Sequence, residues 1–367
     1  MSKSDRGRRI GGKYQLKELA GEGGMATVWK GLMTGAGNFS RIVAIKKMKP
    51  EFHAMQNYID MFMEEARLGG DMRHPNIVQV IDFLQDEEQS YYMVMEWIEG
   101  VDLFDFHSAF RKSQEILPWG LVAIVGIGAL RALSAAHERV DSEGNPAPII
   151  HRDVSPQNLL LSRNGEVKLT DFGLAIAKDR VMALTAPGMV KGKLSYMAPE
   201  NLLGKPASTK SDIFALGTIL WESLTGKSLF AGDDDVEVYK KLRECIVPPL
   251  RDERPNLPQP MVDIINKALA PDPENRFASA REFAHELSVI LGGAQNSGHS
   301  QILLARAVKA AQGWMKGKPP RAPSQVPSSQ PSWDEVENQF SNLIELPMIE
   351  EELGDVDIWF SEPEKKS

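Results

Sequence analysis

Asp153, Asn158 and Asp171 are the residues of this 367-residue chain whose types and spacing best suit chemistry. The first two lie in His151-Arg152-Asp153-Val154-Ser155-Pro156-Gln157-Asn158, and Asp171-Phe172-Gly173 begins thirteen residues after Asn158. Phosphoryl transfer needs one carboxylate to orient an attacking hydroxyl, and further oxygen ligands to hold Mg²⁺ against nucleotide phosphates. Asp153 has the chemistry for the first task. Asn158 and Asp171 have it for the second, because Mg²⁺ takes hard oxygen donors. Either carboxylate taken singly would be an ordinary surface acid, so the weight falls on their order and spacing.

A second stretch would serve the nucleotide. Ala20-Gly21-Glu22-Gly23-Gly24-Met25-Ala26-Thr27-Val28 lies between two strand-like runs. Glycines let a backbone pass close over phosphates and present N–H groups to them, which a Cβ would hinder. Standing alone, the same residues would also make a hairpin turn. Eighteen residues after Val28, Lys46 ends the apolar run Val43-Ala44-Ile45-Lys46.

The elements that must position these residues change character along the chain. Short β-type runs at Tyr14–Leu19, Ala26–Leu32 and Ile42–Met48 are separated by Gly-rich turns, and two more strands are expected at Ile77–Leu84 and Tyr91–Trp97. Tyr58–Gly70 reads as a helix between them. After Gly100 the helical signal dominates, at Leu103–Arg111, Trp119–His137, Ser211–Thr225, Val236–Leu242, Met261–Leu269 and Ala280–Leu291. The pattern implies an α+β fold with a β-rich lobe followed by an α-rich one.

These residues and motifs resemble the protein kinase family, in particular the eukaryotic-like (Hanks-type) Ser/Thr kinases of bacteria. The resemblance covers roughly residues 14–291 and implies a bilobal fold: a small antiparallel N-lobe sheet with one helix over 14–98, and a larger helical C-lobe over 99–292. It implies transfer of the γ-phosphate of ATP, with Mg²⁺, to protein hydroxyls, together with autophosphorylation and a signalling role. Asp153 would then be the catalytic carboxylate, and Asn158 and Asp171 the metal ligands. Lys46 would bind the α- and β-phosphates and pair with a glutamate of the following helix. Two glutamates adjoin there and adjacent helix positions point about 100° apart. Glu65 matches the family pattern, standing ahead of Ala66 and nine residues before His74-Pro75-Asn76. Met95 would be the gatekeeper, Glu96 would offer its carbonyl and Ile98 its amide to adenine, and Val28, Ala44 and Leu160 would cover the ring. Glu200 and Arg276 would form a buried ion pair, and Asp212 would anchor the catalytic loop. These last three resemble the scaffold of protein kinases, and separate them from small-molecule phosphotransferases.

Three positions depart from the family pattern. Ala26 replaces the third glycine of the loop, Ser155 stands where a lysine is usual, and Lys193 stands where a threonine is usual. The last two define an expectation of reciprocal exchange, with Lys193 supplying the missing cation and Ser155 the missing hydroxyl. The alternative is a catalytically weak pseudokinase or nucleotide-binding scaffold acting through its tail. Arg152 implies a partner phosphorylated in the activation segment, where Thr185 is the better candidate and Ser195 the other.

Composition bounds the rest. With 42% hydrophobic and 25% charged residues the chain is globular, and a single cysteine, Cys245, permits neither an intramolecular disulfide nor a thiolate cluster. The polar N-terminus and the lack of a clean run of about 20 apolar residues favour a cytoplasmic protein without a membrane anchor. Trp119–Ala136, the best apolar run, is broken by Gly126, Gly128 and Arg131 and is expected as a core helix. The net charge of −8 is uneven: residues 333–367 carry eleven acids against Lys365 and Lys366. Nothing suggests nucleic-acid binding. Residues 1–13 are expected as a flexible N-terminus, 293–316 as a helical basic segment, 317–332 as a Pro/Ser-rich linker and 333–367 as an acidic, disordered tail. In the basic segment Leu304, Val308, Ala311 and Met315 share one face. Besides protein substrates, the expected partners are a regulatory protein bound by the acidic tail, or the chain itself through intramolecular docking of that tail.

Overall fold

The structure, a computed structural model, describes residues 5–172, 194–292 and 297–317. Its first part is a six-stranded antiparallel sheet in the order β1-β2-β3-β4-β6-β5. The strands are β1 (Arg9–Ile10), β2 (Tyr14–Glu22), β3 (Ala26–Thr34), β4 (Ser40–Met48), β5 (Val80–Gln85) and β6 (Tyr91–Glu96), with helix α1 (Gln56–Asp71) before β5. Side chains alternate across a strand, so β4 feeds two different cores. Val43 and Ile45 join Trp29, Tyr92 and Val94 on the outer face, while Ala44 and Met48 face α1 with Phe62 and Ala66. Lys46 falls on that inner face, two residues from each.

The flexible N-terminus expected over 1–13 is corrected for its described part. β1 pairs with β2 and Ile10 is buried in the outer core. Charge holds the segment as well: Lys47 meets Asp5 at 2.6 Å and Arg8 meets Asp86 at 2.8 Å. A two-residue strand is too short to leave a periodic signal in the sequence.

The larger lobe contains β7 (Gly100–Asp102), α2 (Leu103–Ser113), α3 (Trp119–His137), β8 (Leu159–Ser162), β9 (Val167–Leu169), α4 (Pro199–Leu202), α5 (Thr209–Thr225), α6 (Asp235–Glu244), α7 (Leu250–Glu253), α8 (Gln259–Ala268), α9 (Ala280–Ile290) and α10 (Ser297–Met315). α3 and α5 are buried nearly all round, which is why their sequences are apolar on every face. α3 has the length and composition of a membrane span, but 78% of its apolar stretch is enclosed by the rest of the lobe. A capping box between Ser208 and Ser211 starts α5, and Gly226 in the left-handed conformation ends it.

β7, β8 and β9 form a small sheet beneath the larger one. The approach is close at Gly100, where a Cβ would lie 1.9 Å from the Leu161 carbonyl oxygen. α10 also departs from expectation. It begins at Ser297, and Leu303, Leu304, Ala307, Val308 and Ala311 are buried in the same core as α2 and α3. The segment over 293–316 is thus, in its described part, a layer of the C-lobe. Residues 318–367, which hold nearly all of the expected linker and the whole acidic tail, lie outside the described residues.

Candidate active site

The two lobes meet at a cavity of about 660 Å³. Ala20, Gly21 and Val28 line it from β2 and β3, and Ala44 and Met95 from the facing strands; Glu96, Ile98, Leu160 and Asp171 complete the set of expected residues found there. Ala44 and Met95 are register partners across β4 and β6, which places them side by side. No hydrogen bond among the described residues engages the Ile98 N–H, whereas the Glu96 carboxylate accepts from Gln79 N at 2.9 Å and Lys168 Nζ at 2.8 Å. Glu96 therefore ties the segment joining the lobes to β9.

Gly23, Gly24 and Met25 form the hairpin tip, and with Ala26 and Thr27 they lie outside the cavity lining. Gly23 N donates to Ala26 O at 2.9 Å, Met25 O accepts from Lys49 N at 2.9 Å, and Thr27 Oγ1 accepts from the Trp29 indole at 3.1 Å. Glu22 pairs with Lys49 at 3.0 Å. A Cβ on Gly21 or Gly24 would meet nothing within 4 Å, and neither residue has positive φ. The protein's own packing gives no reason for these glycines. A ligand passing close over the backbone would. Ala26 is 4% exposed and packs into the inner core, so this departure from glycine costs the loop no room.

Lys46 is buried, with its ammonium 2.6 Å from Glu65 and 3.0 Å from Asp171. The neighbouring Glu64 turns outward and accepts from Arg67 at 2.7 Å, as the 100° offset between adjacent helix positions requires. Burial works against the Lys46 charge, yet Asp171 and Glu65 outweigh it, and the lysine pKa is raised. Glu65 is also pushed up, by burial first and by Asp171 second, against the pull of Lys46. The two directions conflict only for an isolated pair. One ammonium facing two carboxylates leaves an excess negative charge, and the more enclosed carboxylate bears its cost.

The catalytic loop is held from below by Asp212, on the first turns of α5. Its carboxylate accepts from the backbone N–H groups of His151 at 2.8 Å and Arg152 at 2.9 Å, and from His137 Nε2 at 2.8 Å. Arg152 has φ of 66° and Asp171 a φ of 56°, left-handed conformations that strain a non-glycine residue. The Asp212 bonds offset that strain at Arg152. His151 Nδ1 accepts from Asp153 N at 3.2 Å while Nε2 donates to Thr170 O at 3.0 Å, so this neutral ring joins the two catalytic segments. Burial keeps it neutral, lowering its pKa against the pull of Asp212 and Asp153. Phe172 packs on the ring at 4.7 Å.

Asn158 Nδ2 donates to Asp153 O at 2.7 Å and to Asp153 Oδ2 at 3.0 Å. With its nitrogen committed, the amide presents its oxygen elsewhere. Asn158 and Asp171 together offer the oxygen donors Mg²⁺ needs. Among the described residues no cluster of three His, Cys, Asp or Glu side chains forms a self-contained metal site. Two protein ligands completed by water and substrate phosphates suit Mg²⁺ better than such a cage, so the residues fit this ion.

Glu200 and Arg276 form a bidentate pair at 2.7 and 2.8 Å, with side chains 7% and 0% exposed. The guanidinium also donates to the carbonyls of Ala270, Lys210 and Pro271 and stacks over Phe214. Ser155 is 1% exposed, and its hydroxyl has no hydrogen-bond partner among the described residues. Lys193 and Thr185 lie outside the described residues. Ser195 Oγ donates to Phe230 O at 3.5 Å.

Sequence reasoning missed part of the cavity. Asp102, Asp105 and Gln157 line it, as do Gln312, Met315 and Lys316 from α10. Asp102 caps α2, accepting from Asp105 N at 2.7 Å, and that Asp-x-x-Asp spacing was readable as a helix start. Nothing local in the sequence places α10 at this site.

Residues 14–288 match the protein kinase domain family. Tyrosine-protein kinase MasK of Myxococcus xanthus is 40% identical over 280 residues, covering 76% of this chain and 43% of MasK. The probable serine/threonine-protein kinase CPE1738 of Clostridium perfringens is 34% identical, covering 77% and 39%, and serine/threonine-protein kinase PknA of Mycobacterium tuberculosis is 35% identical, covering 78% and 63%. The chain thus spans from about two fifths to under two thirds of the length of these relatives. The kinase domain of PknI from M. tuberculosis, solved as a point mutant, aligns with a TM-score of 0.57 at 25% identity, over 78% of this chain and 98% of that domain. The sheet-and-helix architecture and the sequence match converge, and the chain belongs to the protein kinase family, in its eukaryotic-like bacterial branch.

Proposed function

We propose that this protein transfers the γ-phosphate of ATP, with Mg²⁺, to serine or threonine hydroxyls of proteins, itself included, as a step in signalling. The observation that carries the reading is a pair of polar clusters, Lys46 with Glu65 and Asp171, and Asp153 with Asn158, linked along the backbone where Thr170 N donates to Asn158 O at 3.0 Å, with Asp171 lining the same cavity as Leu160. On this reading Lys46 holds nucleotide phosphates and Glu65 fixes the lysine's direction. Asp153, oriented by Asn158, accepts the proton of the attacking hydroxyl. Bound at Asn158 and Asp171, Mg²⁺ would supply charge neutralisation at the phosphates. Glu200, Asp212 and Arg276 give the substrate side a rigid base.

A second reading concerns the hydroxyl. The 40% identical relative is named a tyrosine-protein kinase, and Ser155 stands where Ser/Thr kinases usually carry lysine. Tyrosine as acceptor is therefore the competing specificity. The test is to incubate the protein with γ-labelled ATP and Mg²⁺, hydrolyse the product and identify the labelled amino acids. Phosphoserine or phosphothreonine, abolished by EDTA, supports the first reading. Phosphotyrosine alone moves the assignment to the second, and nucleotide binding without any label refutes both and leaves a binding scaffold.

A further inference from the structure

We infer that the last turn of α10 is a working part of the nucleotide site, with Met315 forming the outer wall of the cavity and setting affinity for the nucleoside half of the ligand. The inference rests on the reading of the cavity as an ATP site.

Leu304, Val308 and Ala311 recur at helical spacing and are completely buried against the C-lobe. Met315 continues the stripe by one more turn but is 43% exposed, because the lobe surface ends there and the cavity mouth begins. A large apolar side chain at the end of a buried stripe has one face on protein and one on open space. The open face here belongs to a cavity whose other walls include Trp97, Ile98 and Leu160.

The turn is held in place from several directions. At the start of α10, Gly165 has φ of 80° and approaches so closely that a Cβ would lie 1.9 Å from the Gln301 carbonyl oxygen. At the end, Trp314 meets Phe110 edge-on with ring centres 5.0 Å apart. Gln312 Nε2 donates to Gly100 O at 3.1 Å, tying α10 to the first residue of β7, where the chain leaves the segment joining the lobes. Met315 is thus fixed relative to that segment, as a positioning wall must be. Affinity that depends on this wall also makes α10 docking and nucleotide binding reciprocal: each stabilises the other by the same amount.

The experiment uses the full chain and two probes, adenosine and Mg-ATP, titrated calorimetrically. Met315→Ala should weaken adenosine binding roughly 4- to 15-fold, since each methylene-sized contact is worth about a fourfold change in affinity. Met315→Leu should stay within about twofold, because it preserves volume. Lys46→Ala should weaken Mg-ATP far more than adenosine, which separates the phosphate end from the nucleoside end. In the wild type, adenosine should slow amide exchange in residues 311–316. Unchanged adenosine affinity in Met315→Ala, or unchanged exchange in that turn, overturns the inference while leaving the ATP site intact. A wild type that binds neither probe refutes the ATP-site reading itself, and the inference with it.

Discussion

Replacing Glu200 by glutamine tests the scaffold beneath the site. The change keeps shape but removes one charge, and it turns an amide N–H₂ toward the Arg276 guanidinium, donor against donor. Arg276 is fully buried and Glu200 nearly so, so water cannot take the lost role. Breaking such a pair on one side costs about 3–5 kcal/mol, a large share of the roughly 5–15 kcal/mol that stabilises a typical protein. With a urea dependence of roughly 2 kcal/mol per molar, the unfolding midpoint should fall by about 1.5–2.5 M. Adding Arg276→Met should bring no net recovery. It removes the stranded charge but leaves the carbonyls of Ala270, Lys210 and Pro271 without their donor, at about 1–3 kcal/mol each. Equilibrium urea unfolding of the wild type, both single variants and the double variant closes the cycle. A Glu200→Gln loss below about 1 kcal/mol, the scale of exposed pairs, would refute the claim that this pair holds the lobe.

Three further outcomes can be measured. Burial pushes the Asp102 carboxyl up to about 6 from an ordinary 3.8. Its folded-state pKa is therefore above the unfolded one, and stability is lost as pH rises from about 4 to 6. Asp102→Asn, an equal N-cap, should match the wild type at pH 4 and exceed it at pH 7 by at most about 3 kcal/mol; a gap independent of pH would contradict this. If Ser155 and Lys193 exchange roles, Lys193→Thr should depress kcat strongly and adding Ser155→Lys should recover part of it, whereas a double variant no better than the worse single ends the exchange. If the acidic tail restrains activity by docking back, a chain ending after Gly317 should be more active and less salt-sensitive than the full chain. The cut belongs after Gly317 because α10, which precedes it, is packed into the core.

Much of this was legible in the sequence, for reasons particular residues make plain. α3 was expected at Trp119–His137 and is found there, because a helix buried on all sides leaves a long apolar run bounded by Pro118 and by the polar Glu138. The pairing of Lys46 with Glu65 was implied by the resemblance to the family's motifs, and the structure brings them to 2.6 Å. The failures share a cause. β1 is two residues long, and β7 pairs with β8 about sixty residues away, so neither leaves a local pattern. α10 announced its apolar stripe but not its destination. Only long-range packing on α2 and α3 carries Met315 to the cavity, and no periodicity encodes which surface a stripe will meet.

The central claim is phosphoryl transfer through Asp153. The most direct measurement is the single-turnover rate of labelled phosphate transfer from Mg-ATP to protein, in the wild type and in Asp153→Asn, with nucleotide affinity measured on both. The rate should be lower by roughly 10²–10⁴ in the variant, with nucleotide affinity nearly unchanged because Asp153 bonds to Asn158 while Lys46, read as the phosphate-binding residue, bonds to Glu65 and Asp171. Equal rates in the two proteins, or no transfer in the wild type under any Mg-ATP concentration, would contradict it.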